Sequence, residues 1–192
     1  MTLSRPWLSP SPRQRQSQLR ISVRQLAVHQ IQVIVGKLEG VSQLAEKWLQ
    51  PTRDLGQGVG LLPASKNLVE DVDELIGEGS GRVYPELDHL TRSLASMLQR
   101  ESHAWRLAYL ETEFFGGSGR QAAAVWDAQA LIFGPKASES EWDSTNQIWV
   151  VDSGWPINEA LRLIGVEADD RRDEFEALGL HELRSMDAFN AA

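Results

Sequence analysis

Cysteine is absent from the 192 residues, which excludes disulfides, thiolate metal sites, iron–sulfur clusters and cysteine nucleophiles together. No apolar run approaches the roughly 18 residues that a membrane-spanning helix needs. The histidines are His29, His89, His103 and His181, and no two stand at the i, i+2 or i, i+4 spacing that ligates zinc on one element. Serine is plentiful, yet no Gly-x-Ser-x-Gly elbow occurs. The glycines of residues 51–63 are not followed by Lys-Ser or Lys-Thr opening a helix, so they form a connector and not a phosphate loop. These absences leave no catalytic residue, metal or cofactor to assign.

The first residues are not expected to act as a secretory leader. Arg5, Pro6, Pro10 and Pro12 interrupt each short apolar stretch at the N-terminus, and prolines block the amphipathic helix of a transit peptide. Residues 1–16 read as a disordered basic tail, and the expected compartment is a cytoplasm. Charge is spread unevenly. Arg5, Arg13, Arg15, Arg20 and Arg24 stand in the first 30 residues without an acid, whereas residues 61–192 hold 11 bases against 24 acids. An acidic body repels phosphate, which disfavours nucleic acid and favours a basic partner drawn in by electrostatic steering. The five arginines read as a solvated tail, with a weak nucleic-acid or lipid contact as the alternative.

Apolar residues recur at helical spacing from Leu19 to Leu49, which predicts one long amphipathic helix or two broken near Gly36 or Gly40. A second helix is expected from Ser65 as N-cap through Ile76, and a third from Pro85 through Leu98. Three helices joined by short loops predict a small antiparallel bundle or hairpin over residues 17–102. Three helices barely close a core, so one face is open to a partner or a second copy.

Near residue 104 the period changes from helical to alternating. Ala104–Phe115, Gln121–Trp126, Ala130–Phe133 and Gln147–Asp152 read as four strands of an antiparallel meander. Gly116, Gly117 and Gly119 mark a tight turn, Gly134-Pro135 ends the third strand, and residues 136–147 read as a polar loop. Helices at Pro156–Ile164 and Asp173–Leu178, with a last turn through Phe189, would cover one face. The predicted fold class is therefore α+β: an N-terminal helical module, then an α+β domain over residues 103–192.

Alternation places Tyr109, Glu111 and Glu113 on one side of their strand. Two carboxylates on one face suit glycoside hydrolysis, and Glu-x-Glu is also met in ADP-ribosylating enzymes. No second acidic constellation is tied to the pair, so a partner-facing acidic stripe is the leading reading and an enzyme the second. Five of the seven tryptophans fall between residues 105 and 155. Trp142, flanked by Glu141 and Asp143 in the expected loop, is either an interface anchor or folded back on its own sheet. The candidate partner-binding set is Tyr109, Glu111, Glu113, Glu141, Trp142 and Asp143.

The stretch Tyr109–Gln121, containing Phe115-Gly116-Gly117-Ser118-Gly119-Arg120-Gln121, then Val125-Trp126 and Gly134-Pro135, continues into Ile157–Arg162, Gly165-Val166, Asp173–Phe175 and Ala177–Leu180. Together these resemble small bacterial proteins akin to the immunity partners of secreted polymorphic toxins, over residues 104–189. The resemblance implies a cytoplasmic protein that binds a protein, with a toxin domain as the candidate partner, and brings no catalytic residue with it. The expected function is a non-enzymatic acidic module of immunity or antitoxin type that occludes a basic partner. An oligomerisation or adaptor protein working through its N-terminal helices is the third reading.

Overall fold

The computed structural model of the chain describes residues 29–115, 118–152 and 154–189. The expected basic tail, the start of the predicted first helix, and Gly116 and Gly117 of the expected turn lie outside these residues. Within them the order is β1 (His29–Lys37), α1 (Leu38–Lys47), β2 (Arg53–Asp54), β3 (Val59–Pro63), α2 (Lys66–Ile76) and α3 (Arg92–Glu101). Then follow β4 (Leu107–Phe115), β5 (Ser118–Asp127), β6 (Ala130–Asp143), β7 (Ile148–Val151), α4 (Pro156–Leu163) and α5 (Glu174–Ala177). Two 3-10 turns, Leu180–Glu182 and Met186–Phe189, come last. The strands form one seven-stranded antiparallel sheet in the order β2-β3-β1-β4-β5-β6-β7.

This corrects the predicted α+β arrangement of a helical bundle followed by a meander. Strands dominate, and one sheet carries helices on both faces. His29–Lys37, expected inside the first helix, is a strand paired with β3 on one side and with β4 on the other. The reason is local and global at once. Ile31, Val33, Ile34 and Val35 are β-branched, which favours strand, and all four are fully buried because helices cover both faces. A strand buried on both faces shows no alternation, so its apolar run imitates a buried helix. Val59–Pro63, expected as connector, is likewise a strand with every residue buried.

The helix expected from Ser65 is present, with the Ser65 hydroxyl accepting the Leu68 N–H at 3.2 Å. The third helix begins later than expected, at Arg92 behind the Thr91 cap. Residues 77–91 form an irregular loop that buries Leu87 and Leu90 against the sheet. Helices α1–α3 and this loop cover one face, where Ile34, Leu62, Tyr109, Ala124 and Trp126 meet Leu68, Leu94 and Leu98. On the other face Val33, Val35, Leu110 and Val125 meet Ile157, Leu161, Leu178 and Leu180 from α4, α5 and the turns. The C-terminal helices are short, eight and four residues.

The expected polar loop at 136–147 is a further correction. β6 runs unbroken from Ala130 to Asp143. Gly134-Pro135 does not end it; the register against β5 shifts there instead, the signature of a bulge. Gly134 has φ 73°, and a Cβ on it would stand 2.4 Å from the Ala123 carbonyl oxygen, so only glycine fits. Glu141, Trp142 and Asp143 are therefore on a strand, and only the tip at 144–147 is a turn.

Candidate functional site

β4 delivers both predicted carboxylates, Glu111 and Glu113, to the face covered by α1–α3, but they meet different surroundings. Glu111 is 4% exposed. Its Oε2 accepts the Asp88 N–H and its Oε1 accepts the His89 N–H, each at 2.8 Å, so it clamps the 77–91 loop to the sheet. Burial pushes the Glu111 carboxyl up, and the two N–H donors only partly offset this. Tyr109 is fully buried, and its hydroxyl has no hydrogen-bond partner among the described residues. Burial first, and then the nearby Glu111 charge, push its phenol well above the usual tyrosine range.

Glu113, two residues on, is exposed. The crevice beside the pair, lined by Asp88, His89, Glu111, Thr112, Glu113 and Arg120, holds about 10 Å³. That is the space of one water molecule at most. The two carboxylates thus do not face each other across a substrate-sized space.

A row of charged residues marks where the cover stops. Glu113, Arg120 and Glu139 are neighbours across β4, β5 and β6. Arg120 pairs with Asp88 at 2.7 Å and Glu139 at 3.4 Å, and donates to the Glu86 carbonyl at 2.7 Å. Beyond this row lies Phe115, Ser118, Glu141 and Val150, one residue from each of four strands, and then Asp143 beside Ile148. Phe115, Ile148 and Val150 are each 53% exposed, and no helix among the described residues covers this end of the sheet. Asp143 accepts from the Asn146 side-chain amide at 2.7 Å and from the Thr145 and Asn146 N–H groups at 2.8 and 3.1 Å. These donors, the side-chain amide foremost, hold its carboxyl below the usual range and keep it charged.

Of the expected partner-binding residues, Glu113, Glu141 and Asp143 therefore share one open face. Tyr109 and Glu111 are buried under the loop. Trp142, 40% exposed, falls on the opposite side of β6 by strand alternation. Phe115, Arg120, Glu139, Ile148 and Val150 belong to the open end and were not singled out from the sequence. The alternation of Ile148 and Val150 was a usable signal, since two apolar residues on one face of an edge strand need a cover.

His103 and His181 do not meet. His29 is buried, with Nδ1 2.8 Å from Thr112 Oγ1 and Nε2 3.2 Å from the Leu180 carbonyl, which assigns the proton to Nε2. His103 follows α3 and His181 lies in a turn on the other face. Among the described residues no group of three or more His, Cys, Asp or Glu could hold a metal ion. A separate cavity of about 240 Å³ opens beside Trp105, between α1 and the end of α3, with the Lys47–Glu101 ion pair on its wall. No protein family, curated protein or solved structure matches this chain.

Proposed function

We propose that the chain is a non-enzymatic binding module for a basic protein, of the immunity or antitoxin type, and that it works by covering its partner. The observation that supports this most is the open end of the sheet, where Glu113, Glu139, Glu141 and Asp143 surround exposed Phe115, Ile148 and Val150. Apolar centres with charged rims are the usual anatomy of a protein interface. The acidic body supplies steering for a basic partner. The immunity form of the reading rests on the resemblance over residues 104–189, and a cytoplasmic site of action goes with it. Among the described residues no helix is long and apolar enough to cross a membrane.

Capture from the native host tests the reading when wild type is compared with a Glu113→Gln, Glu141→Gln double variant. One basic protein retained in stoichiometric amount by the wild type and lost by the variant is the expected result. Equal retention by both, or an acidic partner, would overturn it.

A further inference from the structure

The sheet order ends at β7, and no described strand pairs with its outer edge. Unpaired strand edges are templates for another chain, and folded proteins blunt them unless they are used. β7 is short, but it is held in place at both ends. Asp143 fixes the hairpin tip before it, and Asp152 after it exchanges backbone and side-chain hydrogen bonds with Glu139 at 3.2 and 3.1 Å. A rigid edge lowers the ordering cost of adding a strand.

We infer that β7 is a docking edge to which the basic partner adds an extended strand with basic residues at alternate positions. This rests on the reading of the chain as a binder of basic proteins, and it names how the partner is held. A residue opposite Val150 in the added strand would extend the row that already contains Glu141. A residue opposite Ile148 would extend the row that contains Asp143. Each acid stands two strands away, about 10 Å between backbones, a gap that two long side chains bridge. An arginine or lysine there lays its apolar stem over Val150 or Ile148 and brings its charge to Glu141 or Asp143. The positions between fall on the opposite face of the sheet, where Trp142 lies. A second copy fits poorly, because it would bring its own Glu141, Asp143 and Asp152 against the same acids.

The test uses the full-length chain and two short synthetic peptides, one alternating Arg with Val and one alternating Glu with Val. Binding is read by fluorescence anisotropy at low and high salt, and β7 by amide hydrogen exchange resolved by residue. The Arg peptide is expected to bind, to weaken with salt, and to slow exchange within residues 148–151. Glu141→Lys should weaken it about tenfold, on the scale of one ionic contact, and should confer binding of the Glu peptide. Salt-dependent binding without slowed exchange in β7 overturns strand addition and leaves the acidic binding module standing. No binding of the Arg peptide also overturns strand addition, while the capture experiment still decides the broader reading. Protection of β7 without peptide that grows with protein concentration would give the edge to a second copy. Protection independent of concentration, and lost when Arg13, Arg15, Arg20 and Arg24 are replaced by Gln, would give it to the chain's own N-terminal segment.

Discussion

Glu111 and His89 stand 22 residues apart in the chain, and the Glu111 Oε1 accepts the His89 backbone N–H at 2.8 Å. With the matching bond from Asp88, one carboxylate satisfies two backbone donors of a loop that has no regular structure of its own. The side chain that most resembled half of an active site is thus committed to holding that loop over the sheet.

Replacing Glu111 by Gln keeps the shape but turns an NH2 group toward one of the two N–H donors. The expected loss is about 1–3 kcal/mol of stability, the cost of a buried donor left without its acceptor. Glu113→Gln, at an exposed position, should stay within about 0.5 kcal/mol of wild type. Urea denaturation of both variants checks the contrast, and equal effects would remove the clamp from the account.

What the sequence made legible follows from how much of each element remains uncovered. The strand at 104–115 could be read because its end is open on one face, so alternation survives at Glu113 and Phe115. The central strand His29–Lys37 could not, because burial on both faces erases alternation and Leu38–Lys47 continues directly as helix. Gly134-Pro135 is punctuation in either case, and only the partner strand decides between an end and a bulge. Of the site, the acids Glu113, Glu141 and Asp143 were visible as charge. The burial of Glu111 was not, because its partners are backbone N–H groups, which carry no residue signature.

His29 makes stability depend on pH in a defined direction. Burial holds its imidazole below the usual value, so the unfolded chain binds this proton more readily than the folded one. Stability should be fully present above the ordinary histidine value of about 6.5 and be lost as pH falls through the lower folded value. His29→Gln should cost stability at neutral pH through the lost bonds to Thr112 and Leu180, and should flatten that slope. Melting curves from about pH 7.5 to 5 read both, and an unchanged slope would assign the acid sensitivity elsewhere.

Gly40 reverses an ordinary rule. An alanine inside a helix normally stabilises by about 1 kcal/mol relative to glycine. Here the added Cβ would stand 2.4 Å from the Trp105 ring, with more ring atoms at 2.7 Å. Gly40→Ala is therefore expected to destabilise by about 1–3 kcal/mol, the usual cost of overpacking. Adding Trp105→Leu should recover part of the loss, and purely additive effects would show that the two residues do not touch.

The second half of the chain should not fold by itself. β1 and β4 lie on either side of residue 102 and pair over eight positions, with Val33, Ile34 and Val35 fully buried against them. A fragment Met97–Ala192 would lose β1, β2, β3, the helices α1 and α2, and the first half of α3. It would expose the backbone edge of β4 and leave Leu110 without Val33, its neighbour across the ladder. Losing the burial of several full-sized aliphatic residues, at about 1.5–3 kcal/mol each, exceeds the roughly 5–15 kcal/mol that holds a whole domain together. The fragment should therefore lack a cooperative thermal transition, and its newly bared edge should make it self-associate. Mixing it with Met1–Ser96 should restore a cooperative melt if the sheet rebuilds across the cut. A fragment that melts cooperatively as a monomer would show that β4–β7 and the C-terminal helices carry a sufficient core, and that the long β1–β4 ladder adds little to it.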